Sequence, residues 1–430
     1  MTRSSRWGGP VRGWAAGLGS LALLVAAILS AGASDPHAAR TAAPTLTKVT
    51  GFGSNPGALN MYSYRPAGLP ANAPLVVALH GCTQSASDYY SHSGWPLLAD
   101  RWGFALIFPE QPSLSNPILQ CFDWGTPAND RRGQGEALSI YQMIQYAQST
   151  YGTDPHRSFV TGLSAGGGMA ADLLADYPDV FVAGSIHSGP PAQCSTTGIT
   201  NSNCTSGTVS HTPKQWGDLV RNSFPGYEGR WPRVAIWQGS SDATVNPAAL
   251  TESRDQWTDV WEISQNPYST TTLPGGTTKR SYSDGDGVPA VVTYSISGMG
   301  HGLAVDPGSG SSQCGSTGTY YLNYICSSYY TAQFFGLDQT GATPTPSSTP
   351  SPTPSSTPSP TPSSTPTTAP PAACFTTDNY HQTVAGRAHQ SLGRVYANGS
   401  NQDLGLFTLA TVHTLKQTGP NYYVLADQGC

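Results

Sequence analysis

The sequence predicts an α/β fold, a mostly parallel sheet with helices on both faces, followed by a small β-rich unit on a Pro/Thr/Ser-rich tether. Three observations carry this. Short apolar runs alternate with helix-length segments over residues 45–340. A proline-rich octad then repeats without any side chain able to build a core. Beyond it, Cys374 and Cys430 bracket a final segment too short to hold a comfortable core of its own.

Taken in order, the chain begins with Arg3, Arg6 and Arg12 ahead of an apolar stretch from Ala15 to about Ala31. Ala31 and Ala33 then stand in an A-x-A arrangement. This is the grammar of a cleaved secretory signal, residues 1–33. The stretch falls short of the ~20 residues that span a bilayer comfortably. The mature chain is therefore expected outside the cell, with no stable membrane association.

"PLVVALH" (74–80) and "FALIFPE" (104–110) are apolar runs ended by turn residues, the mark of buried strands. In "GQGEALSIYQMIQYAQSTYG" (133–152), Ala137, Ile140, Ile144 and Ala147 recur at steps of three and four and make one helical face. "RSFVTG" (157–162) reads as a strand, and "AGGGMAADLLADYP" (165–178) as a helix that Pro178 ends. "FVAGSIHSG" (181–189), "RVAIWQGS" (233–240) and "AVVTYSISG" (290–298) supply further strands. From 342 to 372 the octad "PTPSSTPS" favours extended polyproline geometry, with a reach of up to roughly 90 Å. In the last unit, 374–430, "LGLFTLATVHTLKQ" (404–417) alternates apolar and polar residues and predicts one strand.

Eight cysteines, with no C-x-x-C spacing, predict disulfides rather than a metal site, and no cofactor is implied. Cys194 with Cys204 and Cys314 with Cys326 are local clips, and Cys374 with Cys430 would close the terminal unit. Such a closure is worth about 4 kcal/mol on the loop-entropy estimate. Charged residues make up only 10% and the net charge is −5, without basic clusters. That excludes nucleic acid as a partner and suits contact with a neutral solid or polymer.

"VTGLSAGGGMAAD" (160–172) holds the chemistry. Gly162-Leu-Ser164-Ala-Gly166 fits G-x-S-x-G between a strand and a helix, the nucleophile elbow of α/β-hydrolases. Glycines clear space around a strained serine, and the helix N-terminus presents unpaired N–H groups to the reaction. An acid and then a histidine must follow. His187 lies on the next strand and His211 in a Cys- and Thr-rich loop. His301, in "ISGMGHGL", follows a strand and is flanked by glycines, so it is the expected base. Asp242, in "RVAIWQGSSDATVNP", follows a strand and is the expected acid, ahead of Asp259, while Asp284 and Asp286 read as a hairpin turn. The N–H groups of Cys82 and Ala165 are the expected oxyanion donors. A Cys82–Cys121 disulfide would pin that loop, although six cysteines leave other connectivities open.

"LHGCTQSASDY" (79–89), "CFDW" (121–124), "DRRGQGEALSI" (130–140), "GLSAGGGMA" (162–170), "QGSSDATVNP" (238–247) and "GMGHG" (298–302) resemble the poly(3-hydroxybutyrate) depolymerase family of esterases. The resemblance covers about residues 48–335. It implies an α/β-hydrolase fold with Ser164, Asp242 and His301 as triad and Cys82 beside the oxyanion. The expected substrate is an insoluble polyester, attacked by a monomer. The same domain is similar to feruloyl and acetylxylan esterases, which keeps plant polysaccharide esters open as substrates. The tail is similar to polymer-binding modules of secreted depolymerases, and Tyr380, Arg387, His389 and Tyr396 are its candidate contacts. A surface-binding protein without catalysis is the third reading, and it conflicts with every catalytic position being filled.

Overall fold

Runs of apolar residues bounded by turn formers become strands, and the computed structural model describes them over residues 45–112, 119–196, 202–283, 288–339 and most of 374–430. The expected signal peptide, the proline tether, the Asp284–Asp286 turn and Cys430 lie outside the described residues. Two compact units emerge, one within Met1–Pro346 and one within Ser347–Cys430.

The first unit contains β1 (Thr47–Val49), β2 (Asn60–Tyr64), β3 (Leu75–Leu79), β4 (Ala105–Glu110), β5 (Ser158–Leu163), β6 (Phe181–His187), β7 (Arg233–Gly239), β8 (Ser269–Leu273), β9 (Thr277–Tyr282) and β10 (Val291–Ile296). They form one sheet in the order β1-β2-β4-β3-β5-β6-β7-β10-β9-β8. From β4 to β10 the pairing is parallel, and antiparallel strands close both edges. Two short strands, β11 (Leu303–Val305) and β12 (Tyr321–Asn323), pair separately.

Covering helices are α1 (Ala86–His92), α2 (Trp95–Trp102), α3 (Pro127–Asp130), α4 (Gly135–Tyr151), α5 (Ala165–Asp176), α6 (Ser202–Ser206), α7 (Pro213–Arg221), α8 (Ala248–Val260) and α9 (Ser327–Phe335). Strand pleating sends alternate residues to opposite faces. Leu75, Val77 and Leu79 of β3 join one core with α4, α5 and α8, while Val76 and Ala78 join another with α1, α2 and α9. Burial on both faces explains why these strands read as continuous apolar runs. This is the α/β-hydrolase architecture. Among the described residues no helix is long and apolar enough to cross a membrane.

Disulfides join Cys82 to Cys121, Cys194 to Cys204 and Cys314 to Cys326. Tyr89 and Trp95, close in sequence to the Cys82 loop, and Trp124, close to Cys121, are core residues.

The α5 helix, which follows Ser164, turns Asp172 and Asp176 inward, and both are buried, as is Asp130 of α3. Burial lifts all three above the usual carboxylate range, Asp130 to about 7, with Arg131 pulling Asp130 and Asp176 back. The folded chain thus keeps protons that the unfolded chain has released above about pH 4. Stability from these groups is full below that pH and falls as pH rises, for Asp130 until about 7. Asp176→Asn is expected to raise the thermal midpoint by a few degrees at pH 8 and hardly at pH 4. Circular dichroism melts at the two pH values check this.

The second unit holds β13 (Cys374–Asp378), α10 (Asn379–Val384), β14 (Ala388–Ser391), β15 (Arg394–Ala397), β16 (Asp403–Leu406), β17 (Val412–Gly419) and β18 (Tyr422–Leu425). They form two three-stranded sheets around Ala388, Val395, Ala397, Leu404 and Leu415. The single strand expected over 404–417 is instead two strands, β16 and β17, in different sheets. Asn379 separates them: its N–H donates to Thr411 O, and its Nδ2 donates to Leu404 O and Leu406 O. Gly405, within β16, has φ +89, a backbone conformation that alternation of side chains does not reveal.

Candidate active site

Ser164 stands between β5 and α5 at φ 57 and ψ −118, a region that L-residues seldom occupy. Its N–H donates to His187 O of β6 at 2.9 Å. The glycines around it are needed for space. A Cβ on Gly162 would strike Gly166 O, and one on Gly166 would strike the carbonyls of His80 and Leu79. One on Gly167 would lie 2.9 Å from His187 O, and one on Gly168 2.8 Å from the Trp124 ring.

His301 arrives on the loop after β10, and Asp242 on the loop after β7. Ser241 N–H donates to Met299 O and Gly298 N–H to Ser240 Oγ, each at 2.9 Å, so the two loops are joined. His301 Nδ1 lies 2.8 Å from Asp242 Oδ2, and His301 Nε2 lies 2.9 Å from Ser164 Oγ. A carboxylate only accepts, so the proton sits on Nδ1 and Nε2 is left to accept from the serine hydroxyl. Burial works against ionised Asp242, but hydrogen bonds from His301, Val245 and Thr244 outweigh it and hold the carboxyl below its ordinary range. The carboxylate is further anchored by Gln238 Nε2, which donates to Oδ2 at 3.0 Å. Sequence reading assigned Gln238 no role, although it opens the quoted motif 238–247, because one sequence does not show that its amide reaches the acid. It missed Tyr320 too, an exposed ring edge-on to His301 at 5.9 Å.

The alternative residues lie elsewhere. His187 stacks on Trp237 at 5.7 Å and shares a hydrogen bond with Ser185 Oγ, and burial pushes its pKa down to about 3. His211 packs edge-on against Trp216, and Asp259 binds Arg221.

Beside Ser164, the Cys82 loop follows β3. Burial lowers the pKa of His80, whose Nε2 accepts from Gln111 N–H at 3.0 Å, so Nδ1 carries the proton and donates to Gly81 O at 2.7 Å. Thr83 N–H donates to Leu119 O at 2.6 Å, alongside the Cys82–Cys121 disulfide. His80 and the disulfide therefore grip the loop from two sides. Ala165 opens α5, where helix geometry supplies its N–H with no partner.

In the second unit, Arg387 is half-buried, lies 4.6 Å over the Phe375 ring and donates to Gln382. His389 is exposed, stacks on Tyr396 at 5.8 Å and bonds Asn398. The side chain of Tyr380 lies outside what is described.

Comparison with known proteins matches residues 59–213 to the Esterase PHB depolymerase family. Poly(3-hydroxyalkanoate) depolymerase C of Paucimonas lemoignei is 47% identical over 293 residues, covering 68% of this chain and 70% of that protein. Feruloyl esterase B of Talaromyces stipitatus is 37% identical over 271 residues, covering 61% and 74%. Among solved structures, an acetyl xylan esterase from Aspergillus awamori superposes with a TM-score of 0.58 at 29% identity, covering 68% of this chain and 99% of that one. The chain belongs to the poly(3-hydroxybutyrate) depolymerase family of esterases and is a carboxylic ester hydrolase.

Proposed function

We propose that the chain is a secreted serine esterase that hydrolyses poly(3-hydroxybutyrate) or a similar solid polyester through an acyl-enzyme. The observation that carries this reading is the continuous hydrogen-bonded line Asp242–His301–Ser164, with links of 2.8 and 2.9 Å. Ser164 Oγ attacks the ester carbonyl carbon as its proton passes to His301 Nε2. Asp242 holds the ring in that tautomer and stabilises the imidazolium. The oxyanion accepts from the N–H groups of Cys82 and Ala165. Collapse expels the alcohol, which takes the proton from His301; water then enters by the same route and releases the acid.

Polyester is favoured over plant cell-wall esters by the higher identity to the polyhydroxyalkanoate depolymerase than to the feruloyl esterase. Secretion is supported by the disulfides, which persist in oxidising compartments. The terminal unit would adsorb to the solid and raise the local concentration of ester near Ser164. His389 and Tyr396 remain its candidate contacts, whereas the partners of Arg387 favour a packing role.

The purified chain is expected to clear an opaque suspension of poly(3-hydroxybutyrate) and to release little ferulate from bran. Undiminished turbidity together with ferulate release would replace this reading with a cell-wall esterase.

A further inference from the structure

Ahead of β12 the chain comes back to His301 through a turn that its own sequence does not favour. Tyr321 N–H donates to Gly318 O at 3.0 Å, which closes a four-residue turn with Tyr320 in third place. Tyr320 has φ +66, and at that place of such a turn glycine or asparagine is the favoured residue. A bulky aromatic is strained there, and strain of this kind persists only where the surroundings impose it. Burial does not offset it, because Tyr320 is left 39% exposed.

The surroundings fix where the ring stands. β11 begins two residues after His301, β12 begins directly after Tyr320, and the two strands pair in parallel, Leu303 with Tyr321. Leu303 N–H donates to Tyr320 O at 2.8 Å, and a Cβ on Gly302 would lie 2.7 Å from that same carbonyl. The Tyr320 ring therefore meets the His301 ring edge-on at 5.9 Å, while its neighbour Tyr321 is buried in the core.

In the proposed mechanism His301 Nε2 hands its proton to the oxygen of the departing alcohol, so that oxygen comes within hydrogen-bond reach of the imidazole. A polyester continues beyond this oxygen, and its chain has to run over the surface that surrounds His301. An exposed aromatic ring there offers a broad apolar contact for aliphatic groups.

We propose that Tyr320 is a specificity-determining residue, whose ring is the platform on which the aliphatic part of the ester's alcohol side packs. The inference rests on the serine-esterase reading and deepens it by assigning one side of the substrate.

Hexyl butyrate and methyl butyrate give the same acyl-enzyme and differ only in the alcohol. Tyr320→Asn suits the turn and removes the ring. It is expected to lower kcat/KM for hexyl butyrate about tenfold more than for methyl butyrate, with a thermal midpoint no lower than the parent's. The preference between methyl hexanoate and methyl butyrate, which differ on the acyl side, is expected to stay as in the parent. Tyr320→Phe keeps the ring and should keep the parent's preference for hexyl butyrate. Tyr320→Gly, which suits the same turn, is read in the same assays if Tyr320→Asn does not accumulate. An equal loss on hexyl and methyl butyrate would make the ring a support for His301 and overturn the proposal. So would no loss, a shift confined to the acyl pair, or a loss in Tyr320→Phe as large as in Tyr320→Asn. Failure of the parent to hydrolyse any of these esters, or equal rates in Ser164→Ala, would instead overturn the reading beneath it.

Discussion

Ser164→Ala is expected to reduce hydrolysis of p-nitrophenyl butyrate by about 10⁴–10⁶-fold, with the thermal midpoint close to that of the parent. The size follows from how the group acts. Without the hydroxyl there is no atom to carry the acyl group, and His301 has no proton to take. What remains is rate enhancement from binding and from the oxyanion donors alone. Stability should change little, because the strained backbone is held by Gly162, Gly166 and the His187 carbonyl rather than by the hydroxyl. A soluble ester is the right substrate because it needs no adsorption step. Residual activity within about tenfold of the parent would remove Ser164 as nucleophile.

Gly162→Val is expected to destabilise the catalytic unit by about 3 kcal/mol or more. Any Cβ at this position runs into Gly166 O, a backbone atom of the adjoining helix turn that has no rotamer to escape into. Relief would require α5 to move off the sheet, yet every residue of α5 from Ala165 to Asp176 is buried. At roughly 2–4 °C per kcal/mol for a unit of this size, the midpoint should fall by about 10 °C. Calorimetry of the purified variant, or its failure to accumulate as soluble protein, reads this out. An unchanged midpoint would mean that the turn around Ser164 is built differently.

The central strands were legible because burial on both faces leaves an unbroken apolar signature, as in "LVVAL" of β3. The Ser164 turn was legible for a related reason, since crowding by backbone leaves only glycine at two flanking positions. The outer strands left no such trace. In "STTTL" of β8 all five residues remain partly or fully exposed, so hydrophobic pattern cannot mark it. Within the site, chain order and loop position singled out Asp242 and His301. The Gln238 contact depends on where a side-chain amide folds back in three dimensions, and neighbouring letters do not encode that. In the terminal unit, Asn379 breaks a sequence that alternates like one strand, from a position some 25 residues upstream.

The Ser164 N–H is tethered to the carbonyl of a neighbouring strand, and the Asp242 and His301 loops are tied to each other. Reactive geometry is thus a shared property of the rim of β5, β6, β7 and β10, and no single loop owns it. Engineering of substrate preference therefore has a natural division of labour. In the segment clipped by Cys314–Cys326, Tyr321 is core and pairs through β12, so the exposed Tyr320 ring beside His301 is the position to vary, whereas the four strand termini should be treated as one indivisible part.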